Sequence, residues 1–64
     1  MCLSTVVKQV KGKDPEEICS NVSEVEVDGD RITFTDIIGS VHEVMGRITC
    51  VDLIKNKIFV ETAS

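Results

Sequence analysis

The chain has few aromatic side chains, with two Phe and no Tyr or Trp among its 64 residues. Its core must therefore be aliphatic, and most aliphatic residues here are β-branched: ten Val and seven Ile, against two Leu. β-branched side chains fit a pleated sheet better than a helix. A chain this short buries only about 60% of its unfolded surface. The composition predicts one small all-β domain over residues 1–64, supplemented by a second copy in a homodimer.

Long apolar runs and an excess of basic charge are also missing. No stretch approaches the ~20 apolar residues that cross a bilayer, and residues 1–12 lack the continuous apolar run of an export signal. The net charge is −4, with Lys and Arg scattered along the chain, whereas nucleic-acid binding needs a basic face. The three cysteines are expected to be reduced. We therefore expect a cytoplasmic protein that binds neither nucleic acid nor membranes.

The residue sets of common active sites are absent as well. The one histidine, His42, has no acidic partner or nucleophile at a recognisable spacing, and it is expected to be a packed or surface residue. Cys19 and Cys50 form no C-x-x-C pair, which argues against a structural zinc site. Asp28, Asp30 and Asp36 lack the full twelve-residue pattern of a calcium loop, and turn chemistry explains Asp28 and Asp30 better. We predict that the protein is not an enzyme and has no catalytic or cofactor-binding residues.

The chain does contain short alternating segments separated by turn residues. The predicted strands cover residues 2–8, 23–27, 31–36, 41–45, 47–52 and 58–61. Ile18 and Cys19 form either a short strand or a single turn, and the pattern does not decide between them. Asp28-Gly29 between two alternating runs is a strong hairpin signal. The series predicts an antiparallel meander that curls into a small SH3-like barrel.

Side-chain alternation assigns residues of these strands to the core. Ile32 and Phe34 are expected on one buried face, and Cys50 is expected to fill core volume beside Ile48. Gly39 and Gly46 lie where a strand has to bend or admit another backbone closely.

Cys2 is the strongest candidate for chemistry. It follows the initiator methionine, and its small size often allows that methionine to be removed. Removal leaves an α-amine and a thiol on one residue, and together they can chelate a metal ion in a five-membered ring. Two such residues across a twofold axis would supply a square-planar N₂S₂ set, which suits Ni(II) or Cu(II) and disfavours tetrahedral Zn(II). The alternative is that Cys2 begins the first strand as a small apolar residue.

The order of several segments resembles the CooT family of small nickel-binding proteins. The resemblance begins with Met1-Cys2-Leu3-Ser4-Thr5-Val6 and resumes around Val25-Glu26-Val27-Asp28-Gly29-Asp30. It continues through Glu43-Val44-Met45-Gly46-Arg47-Ile48 and ends in Val51-Asp52-Leu53 and Asn56-Lys57-Ile58. Each piece is ordinary β-hairpin sequence, so their order, the chain length and the leading Met-Cys carry the match.

The resemblance implies a nickel chaperone. Members of the family are thought to supply nickel for maturation of carbon monoxide dehydrogenase, as homodimers of small all-β subunits. Their nickel ligand is the cysteine after the initiator methionine, a role that carries over to Cys2 alone. The resemblance gives no metal-binding role to His42, Cys19 or Cys50. The expected partners are a second copy, Ni(II), and a nickel enzyme or its maturation machinery.

A second function class stays open. The chain would then be a metal-independent dimeric protein-interaction module, whose sheet edges recruit a partner and in which Cys2 is incidental. A third possibility, a small barrel that forms rings on RNA, is disfavoured by the acidic net charge.

Overall fold

Six β-strands account for most of the chain. The computed structural model describes residues 3–63, and no helix within that range is long and apolar enough to cross a membrane. The strands are β1 (Ser4–Val10), β2 (Glu16–Asp28), β3 (Arg31–Asp36), β4 (Val41–Met45), β5 (Arg47–Asp52) and β6 (Lys57–Thr62). The all-β prediction is confirmed.

All six strands belong to one sheet, in the order β4-β3-β2-β1-β6-β5. The neighbours are antiparallel except β1 and β6, which run parallel side by side. This parallel pair departs from the predicted pure meander, because it places the first and last strands together in the middle of the sheet. The sheet edges, β4 and β5, do not pair, although a single residue joins them in the chain. The sheet formed by residues 3–63 does not close, and this small all-β fold is consistent with the predicted SH3-like architecture.

Strand β2 connects the two halves of this sheet. Its first half pairs with β1, its second half pairs with β3, and the pairing changes at Val22, which faces Ser4 on one side and Asp36 on the other. The register shifts on both sides of this point, and Asn21 has a positive φ of 56°. Ile18 and Cys19, which the sequence left undecided, belong to this long strand.

Gly46 forms the corner between β4 and β5. Its amide donates to the Asp30 carbonyl oxygen at 2.7 Å, and a Cβ at this position would collide with the Glu61 carbonyl oxygen. Any side chain here would push two backbones apart, so the predicted close approach at Gly46 is confirmed.

The core lies between the two halves of the curled sheet. Its buried members come from β1, β2, β3 and β6, and they are Val6, Val22, Ile32, Phe34, Ile58 and Val60. The predicted shared face of Ile32 and Phe34 is confirmed. Partly buried Ile18, Cys19, Val25, Val44 and Ile48 pack around this cluster.

The prediction that Cys50 fills the core is wrong. Ile48 faces Val60, but Cys50 faces Phe59, so Thr49 is an extra residue on β5. Such a bulge reverses the alternation of side chains along a strand. Ile48 therefore packs against the core, whereas Cys50 is exposed.

Candidate metal site at the start of β1

The predicted nickel ligand, Cys2, lies outside the described residues, which begin at Leu3, and β1 begins at Ser4. The Thr5 amide donates to the Asn56 carbonyl oxygen at 2.8 Å, which joins this strand end to the β5–β6 turn. On the other side, Ser4 pairs with Val22 of β2. Val22 pairs in turn with Asp36, the last residue of β3, and the β3–β4 turn follows. The start of β1 is thus flanked by two turns at the same end of the sheet.

The β5–β6 turn holds two apolar side chains in solvent. The Asp52 carboxylate accepts hydrogen bonds from the amides of Ile54 at 3.1 Å and Lys55 at 2.9 Å. An aspartate that bonds the amides following it fixes a turn without help from the core. Leu53 and Ile54 can then point outward, and they are 79% and 94% exposed.

The β3–β4 turn has the same construction. One carboxylate oxygen of Asp36 accepts from the amides of Ile38 at 3.1 Å and Ser40 at 2.9 Å. Ile37 and Ile38 are held in solvent as a result, and Ile38 is 83% exposed. We call Ile37, Ile38, Leu53 and Ile54 the apolar turns. Exposed aliphatic groups gathered at one end of a small domain are typical of a contact surface.

His42 has an acidic partner that the sequence did not reveal. Its Nε2 lies 3.3 Å from the second carboxylate oxygen of Asp36. Partial desolvation raises the pKa of Asp36, but the hydrogen bonds from Ser40, His42 and Ile38 outweigh it, so the pKa lies below its ordinary value. The expectation that His42 lacks an acidic partner is therefore wrong. His42 lies on the partly buried face of β4, which it shares with Val44.

Cys19 lies near this pair. Partial burial raises the pKa of its thiol, and the carboxylates of Asp36 and Glu17 raise it further. A thiol with a raised pKa is a weak nucleophile and a weak metal ligand at neutral pH. The partly buried side chain of Cys19 packs against the core.

Cys19, Asp36 and His42 line one cavity of about 260 Å³. Even so, no group of three or more His, Cys, Asp or Glu side chains within residues 3–63 is arranged to hold a metal ion. What the fold brings together around the start of β1 is apolar surface.

Comparison with known families identifies the chain. A family model described as CO dehydrogenase accessory protein CooT matches residues 1–61. The chain belongs to the CooT family. That family is described as an accessory protein, not as an enzyme, and the matched range includes Cys2. No curated protein sequence matches the chain.

A solved structure supports the same fold. The crystal structure of a protein assigned as CooT from Carboxydothermus hydrogenoformans superposes with a TM-score of 0.83. The match covers 94% of this chain and 95% of that one, at 17% sequence identity. At this identity the likeness concerns the fold alone.

Proposed function

We propose that this CooT protein binds Ni(II) through Cys2 and supports maturation of a nickel enzyme such as carbon monoxide dehydrogenase. The observation that carries the proposal is the family match over residues 1–61, which begins ahead of Cys2. A role in maturation, as a metal carrier and not as a catalyst, accords with the description of the family as an accessory protein.

The chemistry of the N-terminus suits a carrier. After removal of Met1, the Cys2 thiolate and α-amine can chelate one metal ion, and two donors from one residue leave ligand positions for a receiving protein. A closed site with four protein ligands would instead hold a metal for structure. Both donors must lose a proton before they bind, so nickel binding releases protons and weakens in acid.

The surface around β1 supports a homodimer. The apolar turns lie at the sheet end where β1 starts, and the Thr5 amide donates to the carbonyl oxygen of Asn56, which belongs to the same β5–β6 turn as Leu53 and Ile54. A second copy that covers Leu53 and Ile54 would remove them from water and bring two N-termini together. Two thiolates and two amines would then complete the N₂S₂ set that suits Ni(II).

A nickel titration tests the proposal. The Met-trimmed protein and its Cys2→Ser variant are dialysed against Ni(II), and the bound metal is quantified. Cys50→Ser is the matched control, because Cys50 is an exposed thiol on the edge strand β5. We expect Cys2→Ser to lose tight binding and Cys50→Ser to retain it. Retention of nickel by Cys2→Ser would overturn the proposal.

A further inference from the structure

Among residues 3–63, two strand edges without a partner strand border one groove. β4 pairs there with β3 alone, and residues 16–20 of β2 pair with β1 alone, because the Asn21 carbonyl oxygen accepts from the Ile37 amide and β3 pairs with β2 from Val22 onward. Between them lie two cavities of about 450 and 260 Å³. Ile18 of β2 and His42 of β4 line both cavities, so the two form a continuous groove.

The backbone groups that β4 offers to this groove follow from its pairing with β3. Asp36 N donates to Ser40 O at 3.0 Å at one end of the ladder, and Gly46 N donates to Asp30 O at 2.7 Å at the other. In an antiparallel ladder every second residue bonds to the partner strand. The residues that direct their N–H and C=O groups away from β3 are therefore Val41, Glu43 and Met45.

The groove is apolar at its floor and acidic at its borders. Ile18 and Val44 pack against the core, yet each remains partly exposed where it lines the groove. Glu43 borders it from β4 and forms an exposed ion pair with Arg31 of β3 at 3.8 Å, which an incoming basic side chain can share. Glu16 and Glu17 lie exposed at the start of β2. Lys8 is the basic residue that lines it. An added strand with positively charged side chains would complement this surface, whereas an acidic one would be repelled.

We propose that the free edge of β4 is a docking site for an extended basic peptide, which adds one strand along Val41–Met45. Strand addition supplies affinity through main-chain hydrogen bonds and selectivity through alternate side chains. Apolar side chains of the peptide cover Ile18 and Val44, and basic ones approach Glu43. The site does not include Cys2, so it operates with or without nickel.

The test uses a capped five-residue peptide of alternating Lys and Val as the probe. Amide chemical shifts of the full chain are recorded by NMR during titration. We expect shifts centred on Val41, Glu43 and Met45, and none on β5. The Glu–Val counterpart and a fully N-methylated Lys–Val peptide are expected to bind at least tenfold more weakly, since one has the wrong charge and the other lacks backbone donors.

Variants separate this site from the nickel site. Glu43→Lys is expected to weaken binding at least tenfold, whereas Glu24→Lys, with the same charge change on the second half of β2, leaves the affinity unchanged. Cys2→Ser also leaves it unchanged. Equal affinity of the two charged peptides, or shifts centred on β5, would overturn the proposal. Shifts at β4 that appear on raising the protein concentration without peptide would mean that a second copy occupies the edge, and they would also overturn it.

Discussion

Truncation of Ile54 tests whether the apolar turns form the dimer contact. Ile54 is 94% exposed and follows Asp52, whose carboxylate fixes the turn through backbone amides. Ile54→Ala therefore leaves the hydrogen bonds of the turn and the core untouched. The unfolding free energy of the isolated subunit should change by less than about 0.5 kcal/mol, as for other surface substitutions.

The effect on dimerisation is far larger if a second copy covers this side chain. The substitution removes three carbon atoms, each contributing about 0.8 kcal/mol when buried, or about 2.4 kcal/mol per copy. A twofold interface contains the residue twice, which raises the loss to about 5 kcal/mol for complete coverage. Half coverage halves this loss. The dissociation constant of the dimer should therefore rise by about fiftyfold to three-thousandfold.

Sedimentation equilibrium over a range of concentrations measures this constant. Val27→Ala is the matched control, because Val27 is also exposed but lies beside the β2–β3 hairpin, away from the apolar turns. It should leave the constant unchanged. Equal constants for Ile54→Ala and the unmodified protein would refute the assigned interface, and a monomer at all concentrations would refute the dimer itself.

Three further predictions concern the fold and its titratable groups. Gly46→Ala should lower the unfolding free energy by about 3 kcal/mol in urea denaturation, because the new Cβ meets a backbone carbonyl; a change below about 0.5 kcal/mol would contradict this. The pKa of Asp36 is lowered in the folded state, so its stabilising effect is present above the ordinary carboxyl pKa of about 3.9 and is lost as pH falls through the lowered value. Asp36→Asn should therefore reduce the unfolding midpoint more at about pH 6 than in acid below the ordinary carboxyl pKa, and an equal loss at both would show that the charge of Asp36 is irrelevant. Cys50→Ser should change stability by less than about 0.5 kcal/mol, whereas Cys19→Ser costs more because Cys19 packs against the core; the reverse order would contradict the placement of β5.

The strands that the sequence predicted best are those bounded by strong turn residues. The predicted segments 31–36, 41–45 and 47–52 coincide with β3, β4 and β5. Each is set off by glycine or aspartate, so local signals suffice. The parallel pairing of β1 with β6 was missed because it joins the two ends of the chain, and no local pattern reports such a contact. The orientation of Cys50 was missed because one extra residue inverts the alternation on which the prediction depended.

The candidate site was predictable only in part. Cys2 follows from its position and from the family resemblance. The two turns fall between the predicted strands, but the exposure of their apolar side chains was not predicted, because it depends on the two turn aspartates that hold them outward. The partnership of Asp36 with His42 spans a hairpin turn, and the aspartate preceding that turn was the available signal.

The measurement that tests the central claim most directly is a pair of nickel titrations, on protein that retains Met1 and on protein from which it has been removed. Mass spectrometry verifies each N-terminus and counts the bound metal. If the thiol and α-amine of Cys2 hold Ni(II) together, the trimmed form binds more tightly, and its affinity falls steeply as the pH drops below the amine and thiol pKa values of about 8. Equal affinities for both forms would contradict the account and show that the α-amine is not a ligand.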